Sequence, residues 1–337
     1  MYPIIDQDRV HQIWTTIGKI ILGLIISGLL TWLVINGLNW AIVKVTILSL
    51  NIPLLLVSIL VFLINNYIRA FRWQVLLLNE NVSVHRLFIV ENEGLGLNNL
   101  MPIRIAAEAI QWTALTVNNN VRGSFALATL GMVRVLDLIA NILILTIGFI
   151  FIPEMDEFRF YIIGISIFGL VSISLITFML WSQNNLPLIN QIPGLKSFIS
   201  SVASLTNSPS RLWLSLLISL IYWMIIGLTV WLIALSLNIP VSLLAATIIV
   251  IGTIFFATAI PSAPSSIGTF EAVMIYMLSI FGLERESSFS YAVIVHLVLF
   301  LPPSIIALIF LPSEGIGAFT KIRSLIGQFN RIAKTSK

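Results

Sequence analysis

The sequence predicts an all-α integral membrane protein: a polytopic helical bundle of about six to eight spans, interrupted by two broken or re-entrant hairpins. Two observations carry this. Of the 337 residues, 58% are hydrophobic and only 9% charged, with a mean hydropathy of +1.03. No water-soluble core of this length hides so much apolar surface. Several runs also reach the ~20 apolar residues that cross a hydrocarbon layer. The chain has no cysteine, which excludes disulfides and thiolate metal ligands, and His11, His85 and His296 are too far apart to suggest a metal site. No G-x-x-x-x-G-K-[ST] loop occurs, and Gly94 and Gly96 form only a fragment of a dinucleotide fingerprint. No cofactor is therefore expected. The net charge of +4 comes partly from the C-terminal tail and favours anionic lipid over nucleic acid.

In chain order, the first sixteen residues are mixed, and the run from Ile17 to Ile35 is long enough to span, so no cleavable signal is expected. Full spans are expected at about 17–36, 50–70, 124–152, 160–181, 211–235 and 290–311. Residues 36–51 read as a loop. Region 86–120 is only moderately apolar and carries Glu91, Glu93, Arg104 and Glu108. Region 241–282 is apolar but broken by IPSAPSSIGTFEA at 260–272. Basic residues follow the second span (Arg69, Arg72, Arg86), precede the third (Arg122), lie between the fourth and fifth (Lys196, Arg211) and fill the tail, whereas the 153–159 loop is mostly acidic. That asymmetry puts both termini on the cytoplasmic side of a cell membrane. Each ambiguous region must then return to the side it left, as a re-entrant hairpin or as a pair of spans. The order span, hairpin, span occurs in 50–152 and again in 211–311, as expected for an inverted repeat within a single transmembrane domain over 1–337. The echo between MPIRIAAEA and APSSIGTFEA is short, and chance recurrence of Pro-to-Glu spacings also accounts for it. The basic tail, 315–337, places Phe319, Ile322, Ile326, Phe329 and Ile332 at helical spacing. It reads as an interfacial helix or as a basic tail that only enforces topology.

Charge inside the bilayer is costly, so it marks candidate sites. Arg134 and Asp137 are three apart on one helical face and are expected to pair, either as a structural lock or beside a polar pathway. In NNLMPIRIAAEAIQW, Asn98, Pro102, Arg104 and Glu108 crowd a break. A helix start with an arginine suits phosphate oxygens, whereas Glu108 alternatively pairs Arg104 at i,i+4. In the second break Pro261 ends one helix and Pro264 begins another; Ser266 is a candidate cap, Gly268 permits close approach, and Glu271 lies in the first turns. Glu271 is the only carboxylate between Glu157 and Glu284, so it is expected to pair with Arg104 or Arg134 of the other half. Arg69, Arg72 and Trp73 end the second span, as interfacial anchors or as a site that recruits headgroups. His296 lies in the last span and titrates near neutrality.

Four motifs occur in order: R-x-x-R-W-x-x-L-L at 69–77, G-x-x-x-N-x-x-x-P-x-R-x-x-x-E at 94–108, R-x-x-D at 134–137 and P-x-x-P-x-x-x-G-x-x-E at 261–271. Together they resemble the lysylphosphatidylglycerol synthase transmembrane, flippase-like family, across nearly the whole chain. The resemblance implies a polytopic fold that moves aminoacylated phospholipid between leaflets. The soluble aminoacyl-transferase domain is missing from this sequence, so synthase activity is not expected. Val133 stands where the family has a glutamate, Ser265-Ser266 where it has two glycines, and His296 where a basic residue is common.

The resulting expectation is a lipid transporter, not an enzyme, that carries a polar or charged headgroup of an anionic or aminoacylated phospholipid. Arg104 and Arg134 would take phosphate; Glu108, Asp137 and Glu271 would take an amine or carry protons. Two rivals remain. One is an accessory subunit partnering a cell-envelope or lipid-modifying enzyme. The other, a membrane-embedded glycosyltransferase, needs paired carboxylates in an early external loop, and residues 36–51 have none.

Overall fold

The computed structural model describes residues 7–78, 80–100, 105–152, 159–185 and 193–335. Every regular element among them is helical. The long apolar runs form α1 (Gln7–Ile35), α3 (Ile52–Leu76), α6 (Gly123–Phe151), α7 (Arg159–Asn185), α9 (Pro209–Ser236) and α12 (Arg285–Thr335). Five of these, over Ile52–Leu76, Gly123–Phe151, Ile163–Trp181, Pro209–Ser236 and Arg285–Pro312, are long and apolar enough to cross a membrane. The residues Ile21–Ile35 of α1 and α2 (Trp40–Leu48) are bent at 88° to each other and are together apolar enough to form either a broken sixth span or a re-entrant loop.

Residues 36–51 are thus not the expected loop. Asn39 accepts the Ala41 N–H at 3.1 Å and starts α2, whose nine residues are apolar except Lys44 and Thr46. Arg285 Nη2 lies at the bend, donating to the Leu33 carbonyl and, at 3.0 and 3.1 Å, to those of Val34 and Asn36 at the end of α1.

The second ambiguous region is helix, break, helix; the first holds helices on either side of residues 101–104, which lie outside the described residues. The first is α4 (Val84–Leu100) followed by α5 (Ile105–Thr113), which runs into a π turn at Ala114–Asn118. The second is α10 (Leu243–Ala259), a 3₁₀ turn at Pro264–Ser266, and α11 (Thr269–Ile280). Each arm, at 17, 9, 17 and 12 residues, is shorter than the ~20 a crossing requires. An unexpected helix, α8 (Pro193–Thr206), lies between α7 and α9 and packs on α6 and α7 through Ile199, Val202 and Leu205. The tail backbone continues α12 through Pro312 to Thr335 without forming a separate helix.

The chain divides into two compact units. One comprises 1–62, 98–103 and 226–301; the other comprises 63–97, 104–225 and 302–337. In the first, α11 packs on α1 and α10. In the second, Trp73, Leu76, Leu87, Leu115, Phe125 and Leu136 form the centre of the apolar core. Gly96 of α4 lies against the Pro303 carbonyl and Ala307, where any side chain would overlap. That close helix approach, common between membrane helices, is what the G-x-G fragment serves.

Candidate functional site

In the second unit the polar side chains of α3 lie on one stripe: Asn65 and Asn66, Arg69 one turn on, Arg72 the next. The stripe is buried, Arg72 completely. Facing it on α9 are Ser215, Ser219 and Tyr222, also at one-turn spacing. The helices run antiparallel, as contacts from Leu78 to Arg211, Arg72 to Ser219 and Arg69 to Tyr222 show.

Three ion pairs organise this unit. Arg69 Nε lies 2.8 Å from Glu91 Oε2 of α4. Arg72 Nη1 pairs with Asp137 of α6 and donates to Ser219 Oγ at 2.8 Å. Both guanidinium groups lie over the Tyr222 ring, at 5.7 and 5.5 Å from its centroid, which adds a cation–π attraction. Asn66 donates to Asn92 at 3.0 Å beside them. The third pair differs. Arg134 Nη2 meets Glu108 Oε1 at 3.0 Å, and their side chains are 55% and 43% exposed.

These contacts revise several expectations. Arg134 and Asp137 do not pair with each other, although three apart, because Glu108 and Arg72 reach them from other helices. Glu108 is held by Arg134. Arg69, Arg72 and Trp73 are not interfacial anchors; α3 runs on to Leu76 and buries them, with Trp73 Nε1 donating to Thr129 at 3.2 Å. Pro102 and Arg104 lie outside the described residues. The Asn65 carboxamide, Arg72 Nε and Nη2, and Ser215 Oγ are buried polar atoms with no protein partner, an arrangement that ordinarily marks a seat for water or ligand.

The first unit holds the other site. After Ala259 the chain leaves helix at Ile260 and Pro261, and the break is tied down by side chains. Ser27 of α1 accepts the Ala263 N–H at 2.8 Å, Ser265 Oγ donates to the Asn99 carbonyl at 2.7 Å, and the Ser262 and Ser266 hydroxyls are 3.2 Å apart. Ser265 and Ser266 adopt φ of 58° and 56°, and Gly268 adopts 78°. Non-glycine residues held there store strain, which collects at functional sites. A side chain at Gly268 would also strike Thr31 and Ser27. The N-cap of α11 is therefore Gly268, not Ser266, and the capping acceptor is Glu271, whose Oε2 takes the Gly268 N–H at 2.7 Å.

Glu271 Oε1 lies 2.5 Å from His296 Nδ1, with the two side chains only 12% and 9% exposed. Its partner is thus the histidine of α12, not Arg104 or Arg134: the carboxylate and imidazole already meet within one unit, between α11 and α12. Phe270 and Phe300 flank the imidazole at ring distances of 4.7 and 4.2 Å. Asn99 at the end of α4 donates to the Phe300 carbonyl at 3.0 Å, and the neighbouring Asn98 Oδ1 is buried with no protein partner. Pro261 is exposed and Pro264 half-buried at the rim of this break.

The family model for the lysylphosphatidylglycerol synthase TM region matches residues 20–307. The chain belongs to this family. No curated protein and no solved structure matches it. The lysylphosphatidylglycerol synthase TM region begins here within α1 and ends within α12, so it contains both ambiguous regions and all four ion pairs described above. Like the family, the chain is a multi-pass membrane protein. Ser27, Ser219 and Tyr222 enter these sites without having stood out in the sequence, and Glu91, marked there only as a charge in region 86–120, enters as the partner of Arg69. The one-turn spacing of Ser215, Ser219 and Tyr222 within an apolar span is the signal that could have found the last two.

Proposed function

We propose that the protein translocates the polar headgroup of an anionic or aminoacylated phospholipid across the cell membrane, with both termini cytoplasmic and the acyl tails left in lipid. The observation that carries this reading is the Glu108–Arg134 pair. Unlike the pairs at Arg69, Arg72 and His296, it has both side chains substantially exposed, and it lies on mostly apolar helices. In hydrocarbon such a pair is costly, so it is expected to face a polar route. A guanidinium and a carboxylate 3.0 Å apart offer a phosphate and an ammonium one partner each. The buried pairs at Arg69 and Arg72 then act as scaffold for α3, α4, α6 and α9. The family supports a role with membrane lipid, and no bound nucleotide is needed if movement is downhill or ion-coupled.

The experiment is reconstitution of the purified protein in liposomes that contain fluorescent phosphatidylglycerol, lysyl-phosphatidylglycerol or phosphatidylethanolamine, with an impermeant quencher outside. Transfer without any partner protein, lost in Glu108→Gln and Arg134→Gln, supports the reading. Transfer that appears only with a co-purified envelope enzyme would make the chain an accessory subunit, and no transfer under either condition overturns the proposal.

A further inference from the structure

The Glu271–His296 pair is unlike the others. Its base is the only imidazole of the four; the others are guanidinium groups. Its surroundings are also poor in any other charge. Among the elements packed around it, α10 has no acid or base, nor does α1 between Ile21 and Ile35. Among the described residues, 98–100 are two asparagines and a leucine, and α12 has no acid or base between Glu286 and Pro312 except Tyr291 and His296; Arg104 lies outside the described residues. The remaining contact of the carboxylate is the Gly268 N–H, a neutral donor. Among the described residues, no charge other than His296 faces Glu271, and a nearly buried carboxylate left without a cation is costly. Two cations would leave the site with an excess positive charge at the same depth. The site therefore takes one cation at a time.

We propose that Glu271 and His296 form a proton-binding site that exchanges a proton for the ammonium group of a lipid headgroup. With no headgroup bound, His296 holds the proton and balances Glu271. When an ammonium pairs with Glu271, His296 Nδ1 releases its proton to water; when the headgroup leaves, His296 takes one up again. Only the Nδ1–H bond of His296 breaks and re-forms, no bond between heavy atoms changes, and the net charge of the site stays the same throughout. The inference deepens the translocation reading by naming the coupling ion. It rests on that reading only for the consequence that lipid and proton move in opposite directions. The exchange itself is a binding equilibrium, and linkage makes it reciprocal: a bound ammonium lowers proton affinity by the factor by which a bound proton lowers ammonium affinity.

The test is binding without transport. The purified protein in detergent is titrated with short-chain phosphatidylethanolamine, and with its N-acetyl derivative, which has no ammonium, at pH 5 and pH 8. Affinity for the amine lipid should rise by about tenfold from pH 5 to pH 8, within the ordinary range of coupling between sites, while that for the N-acetyl lipid stays flat. His296→Arg should bind the amine lipid weakly at both values, and His296→Gln tightly at both. Labelled-histidine NMR should show the His296 signal, assigned by its loss in His296→Gln, move to its neutral form when amine lipid is added near pH 6. Equal amine-lipid affinity of the wild type at both pH values overturns the proposal, as does a pH dependence retained in His296→Gln. If a variant does not fold, the wild-type comparison of amine and N-acetyl lipid still decides. Exchange detected here with no transfer in liposomes would sink the translocation reading alone; transfer with no exchange would sink this one alone.

Discussion

Asp137→Asn isolates the most deeply held of the ion pairs. The substitution keeps the side chain's shape but removes its charge, leaving Arg72 fully buried with only Ser219 and the Tyr222 ring. Removing one partner from a buried pair ordinarily costs about 3–5 kcal/mol. The hydrogen bond to Ser219 and the ring survive, so the expected loss lies at the lower end, about 3 kcal/mol, or roughly two decades in the folded-to-unfolded ratio. Reversible unfolding in mixed dodecylmaltoside–SDS micelles measures it. The double replacement Arg72→Met with Asp137→Leu should recover most of the loss, because apolar side chains of similar volume often substitute for a buried pair without net cost. If Asp137→Asn stays within about 1 kcal/mol of wild type, the pair is not the buried scaffold described, and the division between structural and exposed pairs fails.

Other outcomes follow from the same geometry. Glu108→Gln and Arg134→Gln should each change stability by less than about 1 kcal/mol, because the pair is exposed, yet reduce lipid transfer in liposomes by at least tenfold on the proposed function; a stability loss like that of Asp137→Asn would make them structural instead. Gly268→Ala should destabilise by roughly 1–3 kcal/mol in the same micelle assay, since alanine is strained at φ 78° and its methyl group would meet Thr31 and Ser27. The chain has no cysteine, so introduced ones report topology cleanly. Asn81→Cys and Asn120→Cys should react with an impermeant reagent from one common side, and Pro240→Cys and Glu284→Cys from the other; opposite labelling within either pair would make that hairpin a single crossing.

The spans were legible because crossing a membrane is a local property: enough apolar residues in a row form a helix with its backbone bonds satisfied internally. Their ends were less so. Taking the second span to stop at 70 turned Arg69, Arg72 and Trp73 into interfacial residues, whereas α3 continues to Leu76. The added turns carry the arginines into the packed interior, where Glu91 and Asp137 meet them. α2 escaped notice because its nine residues are too few for a span, and α8 because Ile199, Val202 and Leu205 are a short stripe in a polar setting. The break at 260–268 was readable from proline and glycine, which act on their own backbone, whereas the one expected at Pro102 lies outside the described residues. Pairing was not. An arginine finds its carboxylate by tertiary approach, so spacing along one helix pointed Arg134 to Asp137 when Glu108 of another helix held it.

The correct partners expose a regularity that spacing along one helix concealed. Glu108 sits in the first turn of α5 and pairs with a base 26 residues on, in the long helix α6. Glu271 sits in the first turn of α11 and pairs with a base 25 residues on, in the long helix α12. In each case the second arm of a broken hairpin presents a carboxylate near its start, and the helix that follows supplies the cation. This shared arrangement is a stronger argument for related hairpins than the spacing of proline and glutamate, because it rests on which side chains meet. It also defines where the two differ. Arg134 supplies a guanidinium, and its pair is exposed; His296 supplies an imidazole, and its pair is nearly buried. A fixed cation in contact with the surroundings can only compete with a headgroup for its carboxylate. On the proposed exchange an imidazole gives up its proton instead, so the Glu271–His296 pair is the proposed meeting point of lipid binding and proton binding.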